Sequence, residues 1–364
     1  MDEKLQRTAL FEKHAALGGR MVPFSGWEMP LQYTSILNEA RAVRSFAGIF
    51  DVSHMGRLSI NGMGAGDLLN RILSVDAVKL RIGKSKYNLI CTEDGGIIDD
   101  CIVYRKAYDN YLLIPNAANT ANVLHWIKTH INDDQVLIED VTSKYSMIAL
   151  QGPKSLTIAQ QLTSTDLSKL DRFTAVDTRV AGVDTFLART GYTGEDGVEL
   201  IIPADDSHVV WDNMISKGVA PCGLGSRDVL RLEAGLLLHG NDMDVTTNPY
   251  EAGLGKFVDP DRLGYVARKS LKGIKEEGVD RKLVGFMLLE RGIPRQGYQL
   301  LDGNKQIGEV TSGGYSPTLD RSLGMGYVPI GHADLNSQIA IDIRGKHVKA
   351  QITSLPFYTR SAST

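Results

Sequence analysis

The chain has little cysteine, no long apolar run and no strong excess of charge of either sign. Its 364 residues include three cysteines, Cys91, Cys101 and Cys222. An odd number without C-x-x-C spacing argues against a disulfide framework or a thiolate metal site. The eight histidines show neither H-x-x-H nor H-E-x-x-H spacing, so no metal is expected. A membrane-spanning helix needs about 18 consecutive apolar residues, and no such run occurs. The opening Met1-Asp2-Glu3-Lys4-Leu5-Gln6-Arg7 lacks a signal-peptide core and carries acids unsuited to a transit peptide. These features predict a cytoplasmic protein with no membrane partner. A net charge of −3 without a basic block gives no general electrostatic grip on nucleic acid. Internal repeats and low-complexity segments are also absent.

What is present is an ordinary globular composition, 43% apolar and 23% charged, in a chain longer than one hydrophobic core usually organises. Two or three domains are expected. Thr34 or Ser35 can cap a helix carrying Ile36, Leu37, Ala40, Val43 and Phe46 at helical spacing. Strands are expected at residues 57–60, 87–92, 97–105 and 111–115, with helices over 67–73 and 119–130. The polar Asn132-Asp133-Asp134 is expected to end that α+β unit. Further strands are expected at 145–151, 178–190 and 198–203, then a helix capped by Ser226 and running from Arg227 to Leu238. Residues 271–281 read as a charged connector. Beyond it, short alternating segments with hairpin signals at Asp302-Gly303 and Arg344-Gly345 predict a β-barrel or sandwich.

The strand Ile97-Ile98-Asp99-Asp100-Cys101-Ile102-Val103-Tyr104 sets two carboxylates among apolar residues on both faces. An ion there needs hydrogen-bond partners. A turn role after Gly95-Gly96 suits Asp99. Asp100, one step deeper and sharing its face with Ile98 and Ile102, is the better candidate for chemistry.

Other signals are weaker alone. Gly62-x-Gly64-x-Gly66 and Gly223-x-Gly225 lack the third glycine and the surroundings of a dinucleotide site. Asp51-x-Ser53-His54 assembles hydrolase residue types without a G-x-S-x-G elbow, and His54 reads as a structural hydrogen-bonder. In Arg189-Thr-Gly-Tyr-Thr-Gly-Glu-Asp-Gly-Val-Glu199, Tyr192 offers a flat face. Glu199 is either a solvent-facing hairpin residue or a carboxylate just inside an apolar strand. Arg227, read as lying in the first turn of a helix, is either solvated or paired with an anion or polar ligand. Two carboxylates, several tyrosines and an arginine suit a flat, nitrogen-rich heterocycle with an acidic tail, such as a folate.

Motifs in matching order across nearly the whole chain then give a resemblance. They are Phe24-Ser-Gly-Trp27-Glu-Met-Pro30, Phe50-Asp-Val-Ser-His-Met-Gly56, Gly95 to Tyr104, Asn116-Ala-Ala-Asn119 and Leu150-Gln-Gly-Pro153. Downstream follow Arg189 to Leu200, Gly223 to Glu233, Asn248-Pro-Tyr-Glu251 and Thr311-Ser-Gly-Gly-Tyr-Ser-Pro317. The chain resembles the T-protein family of the glycine cleavage system, tetrahydrofolate-dependent aminomethyltransferases. The resemblance implies an α+β fold of three domains around a central folate site. Residues 1–53 and 138–245 would form a discontinuous first domain, 54–137 an inserted domain carrying Asp100, and 246–364 a C-terminal β-barrel. It also implies transfer of a one-carbon unit from the aminomethyl-lipoyl arm of H-protein to tetrahydrofolate, with release of ammonia.

Asp100 is the implied catalytic residue, with Met55, Tyr87, Tyr104, Asn116, Tyr192, Glu199, Arg227 and Arg295 binding the folate. Pro115 departs from the family pattern and bears on where Asn116 falls, since proline removes a ladder N–H. Two rival readings are a folate-dependent demethylation module, which lacks its usual flavin domain here, and a noncatalytic folate-binding protein related to iron–sulfur assembly factors, whose K-G-C-Y motif is absent.

Overall fold

A computed structural model describes residues 4–132 and 135–360. Asp133 and Asp134, expected to help end a unit, lie outside the described residues. The chain divides into two compact units. Of the described residues, the first takes in those through Arg71, then Asp76–Asn88 and those of Asp100–Asp228; the second takes in Ile72–Val75, Leu89–Asp99 and those from Val229 on.

The first unit holds a six-stranded sheet in the order Ala175–Val180, Val183–Ala188, Gly197–Pro203, Tyr145–Gln151, Gly48–Asp51, Ala220–Pro221. Its central strands Tyr145–Gln151 and Gly197–Pro203 are buried along almost their whole length, as expected of strands covered on both faces. The helix Ile36–Ser45 starts where the sequence indicates, with the Ser35 side chain accepting from Asn38 N. The segment expected to be one strand over 178–190 is a hairpin instead. Ala181 and Gly182 turn it with φ of 51° and 82°, the backbone of a two-residue hairpin turn.

The helix expected over 227–238 runs Leu224–Glu233. Its start is set by tertiary structure rather than by Ser226. Buried Glu39 accepts from Gly223 N at 2.9 Å and from Ser226 Oγ at 3.3 Å, placing a carboxylate at the positive helix end. Gly223 also passes so close to the Leu31 carbonyl that no Cβ would fit.

The second sheet is ordered Ser85–Cys91, Ile97–Ala107, Asn110–Ile114, Leu58–Asn61, Leu137–Asp140. It is accompanied in sequence by the helices Ala65–Ile72 and Thr120–Thr129. Elements expected over 57–130 are all present with ends shifted by a residue or two.

In the second unit, six strands close into a barrel in the order Arg281–Leu288, Arg321–Pro329, Lys305–Ser316, Gln299–Asp302, Gln338–Ile343, Lys346–Thr353. Phe286, Leu300, Val328 and Ile341 are buried in its core. Closure removes the free edges that a sandwich would retain. The expected connector at 271–281 is largely a helix, Arg268–Glu277. Its apolar stripe is thin, but Leu271 is wholly buried and Gly278, at φ 86°, ends it.

Candidate active site

Asp100 stands on the strand Ile97–Ala107, whose two faces differ. Ile97, Asp99, Cys101 and Val103 are buried, whereas Ile98, Asp100 and Ile102 are only partly so. Asp99 is therefore a core residue on the strand rather than a turn residue, and Asp100 lies on the more accessible face. Tyr87 Oη donates to Asp100 Oδ2 at 3.1 Å, and Asn116 Nδ2 donates to Asp100 Oδ1 at 2.8 Å. Burial and the neighbouring Asp100 charge push the Tyr87 phenol well above its ordinary pKa, so it stays a donor.

Pro115 ends its strand, as its missing N–H requires. Asn116, the next residue, nonetheless reaches Asp100. Pro115 also presents its carbonyl to Gly56 N at 3.0 Å. That bond ties the turn carrying Met55 to the turn carrying Asn116, and Gly56 has no room for a Cβ beside Thr120 and Pro115. The Met55 turn is further clamped by Arg57, which donates to the carbonyls of Met55 at 2.7 Å and Ser53 at 2.8 Å. Behind it, buried His14 bridges Asp51 Oδ2 and the Tyr33 hydroxyl, each at 2.8 Å.

A second cluster forms around Glu199. This carboxylate is buried, which rules out the solvent-facing hairpin reading. Thr190 Oγ1 donates to Glu199 Oε2 at 2.5 Å, and Tyr104 Oη lies 3.1 Å from the same hydroxyl. Burial raises the Glu199 pKa, opposed by the Thr190 hydrogen bond and the Arg227 charge. Burial lowers the Arg227 pKa, opposed by Glu199. The Arg227 guanidinium lies over the Tyr192 ring, 4.7 Å from its centre. Tyr87, Tyr104, Asn116, Tyr192, Glu199 and Arg227 thus all belong to the first unit. Arg295 belongs to the second, where it is exposed in a turn closed by its own carbonyl and Tyr298 N at 3.1 Å.

Several supporting residues were not singled out in the sequence. Buried Gln151 accepts from Thr193 Oγ1 at 2.9 Å and donates to the Thr190 carbonyl at 3.1 Å. Arg44 donates to the Thr193 carbonyl at 2.7 Å and to Glu195 at 2.9 Å. Together they fix the loop carrying Tyr192. A polar residue closing a buried strand, as Gln151 does, was the available signal. No group of three or more potential metal ligands occurs among the described residues.

The description "GCVT N-terminal domain" matches residues 10–262, and "Glycine cleavage T-protein C-terminal barrel domain" matches residues 281–359. The chain belongs to the glycine cleavage T-protein family, a family of aminomethyltransferases. An aminomethyltransferase of Symbiobacterium thermophilum is 44% identical over 98% of both chains. One of Geobacillus kaustophilus is 43% identical over 98% of this chain and all of its own. The crystal structure of glycine cleavage system aminomethyltransferase T from Bartonella henselae superposes with a TM-score of 0.93 at 32% identity, covering 97% of this chain and 98% of that one. The α+β architecture with a closed C-terminal barrel is that of this family. No helix among the described residues is long and apolar enough to cross a membrane.

Proposed function

We propose that this family member transfers the methylene unit of an aminomethyl-lipoyl group, carried on H-protein, to tetrahydrofolate. The carbon–nitrogen bond to the amine and the carbon–sulfur bond to the lipoyl arm break, and two bonds to folate nitrogens form. The products are methylenetetrahydrofolate, ammonia and dihydrolipoyl H-protein. The observation that carries the reading is the Asp100 carboxylate, held at one oxygen by Tyr87 and at the other by Asn116 on a partly open strand face.

Tetrahydrofolate is the substrate that supplies the nucleophilic nitrogen. The residues fit it: buried Glu199 has acceptor capacity for an N–H edge, half-buried Tyr192 offers a ring face, Nη1 of Arg227 is a buried donor with no protein partner, and Tyr104, itself buried, backs Glu199 through the Thr190 hydroxyl. Asp100 orients that nitrogen and stabilises positive charge developing on it. Arg295 would serve the glutamyl tail. The three-part division at residues 53/54, 137/138 and 245/246 belongs to the same proposal, as does a cytoplasmic setting, which suits three cysteines that are all buried and form no disulfide.

The test mixes purified protein with aminomethylated H-protein and tetrahydrofolate and follows ammonia. Release by the wild type and its loss in Asp100→Asn, by about 100-fold or more as expected for a group acting in the transition state, are the expected results. No release by the wild type discards the transferase reading.

A further inference from the structure

His54 was expected to be a structural hydrogen-bonder, yet its buried Nδ1 has no partner, and the same holds for Nη1 of Arg227. The ring is only 4% exposed. The turn that carries it does not use it: Ser53 N donates to Asp51 at 2.9 Å, Met55 N to the Val52 carbonyl at 3.1 Å, and Arg57 holds the Ser53 and Met55 carbonyls. The imidazole meets the Phe24 ring edge-on at 5.6 Å between centres. Phe24 is delivered there by a tight hairpin, with Ser25 and Gly26 at φ of 48° and 80°. Leaving a buried polar atom unmade costs on the order of 1–3 kcal/mol, so a residue kept only for packing would be better as leucine.

Burial and the Arg227 cation keep the imidazole neutral. A neutral ring carries one donor and one acceptor nitrogen, whereas the guanidinium only donates. An amide-like edge, a carbonyl beside an N–H, can satisfy both. A cationic group would be repelled by Arg227.

We propose that His54 is a further ligand-binding residue, whose Nδ1 acts with Nη1 of Arg227 on one amide-like edge of the bound folate. This rests on the folate reading above. The test measures anaerobic tetrahydrofolate binding and, separately, the melting temperature of the ligand-free protein for the wild type, His54→Leu and His54→Asn. Asparagine places a polar atom near the Nδ1 position. His54→Leu should bind about tenfold or more weakly while melting at or above the wild-type temperature, because the uncompensated polar atom is gone. His54→Asn should bind within about threefold of the wild type. Wild-type affinity in His54→Leu, or a lowered ligand-free melting temperature in that variant, overturns the assignment and restores a structural role. If His54→Leu does not fold, His54→Gln replaces it: binding weaker than in His54→Asn supports the Nδ1 contact, and equal binding overturns it. Failure of the wild type itself to bind tetrahydrofolate removes the folate reading instead.

Discussion

Asn116 sits across from Asp100 in the register set by Ile102 and Ile114, Val103 and Leu113, and Tyr104 and Leu112. One side-chain amide there donates to both the Asp100 carboxylate at 2.8 Å and the Asp100 carbonyl at 3.0 Å. Pro115 cannot extend the ladder, so the Asn116 side chain takes over where the main-chain donor is missing.

Asn116→Ala should therefore act on chemistry more than on folding. Hydrogen bonds to a charged group contribute about 1.5–3 kcal/mol, so kcat/KM should fall about 10- to 100-fold with little change in melting temperature. Steady-state ammonia release beside a thermal melt checks this. Unchanged kinetics would show that Asp100 needs no support from this side.

Tyr87→Phe removes the donor to the other carboxylate oxygen while keeping the ring. The expected loss in kcat is about tenfold, since the phenol supplies one charge-assisted bond. Because the phenol does not titrate in the working range, the variant should keep the shape of the wild-type pH profile. A missing alkaline limb in the variant would contradict the donor role.

Gly56→Ala tests the link between the Met55 and Asn116 turns. A Cβ would meet Pro115 Cγ at 2.7 Å as well as Thr120, and relieving such overlap typically costs about 1–3 kcal/mol. Denaturant unfolding should show that loss, accompanied by weaker tetrahydrofolate binding. An alanine variant as stable as the wild type would mean that the two turns separate freely.

The pH dependence of stability follows from Asp51 and His54. Asp51 is raised by burial but held lower overall, at about 2 against an ordinary 3.8, by the His14 hydrogen bond and charge and by Ser53. Its contribution is present above pH 3.8 and lost as pH falls through about 2. His54 is pushed from 6.5 to about 3 by burial and by the Arg227 and Arg57 charges, with Asp51 opposing. The unfolded chain then binds a proton below pH 6.5 that the folded chain refuses until about 3. Stability should fall with acid across that window, with a limiting slope of about one proton from His54. His54→Leu should flatten that part of the curve in urea titrations at stepped pH. An identical slope in the variant would show that the folded imidazole titrates normally.

Much of this architecture was legible in the sequence because strand alternation and turn chemistry acted locally. The hairpins at Asp302-Gly303 and Arg344-Gly345 formed as expected, with positive φ at Gly303, Arg344 and Gly345. Where distant residues decide, the reading missed. Glu39 moved the start of the helix bearing Arg227, and a buried Leu271 made a helix of an apparent connector. At the site, the motif pointed to Asp100. That Asp99 is the buried member of the pair depends on which strand face is covered, and alternation alone cannot say that. Gln151 and Arg44 act on the 190–197 loop through contacts far along the chain; the polar end of a buried strand marks Gln151, and nothing local marks Arg44.

The central claim is that Asp100 addresses the reacting nitrogens of folate. A structure of the protein with tetrahydrofolate bound tests it most directly. The account predicts an Asp100 carboxylate oxygen within hydrogen-bond reach of those nitrogens, about 2.6–3.2 Å or through one water, with Tyr87 and Asn116 still attached. A ligand seated elsewhere, or a carboxylate turned away from those atoms, would contradict it.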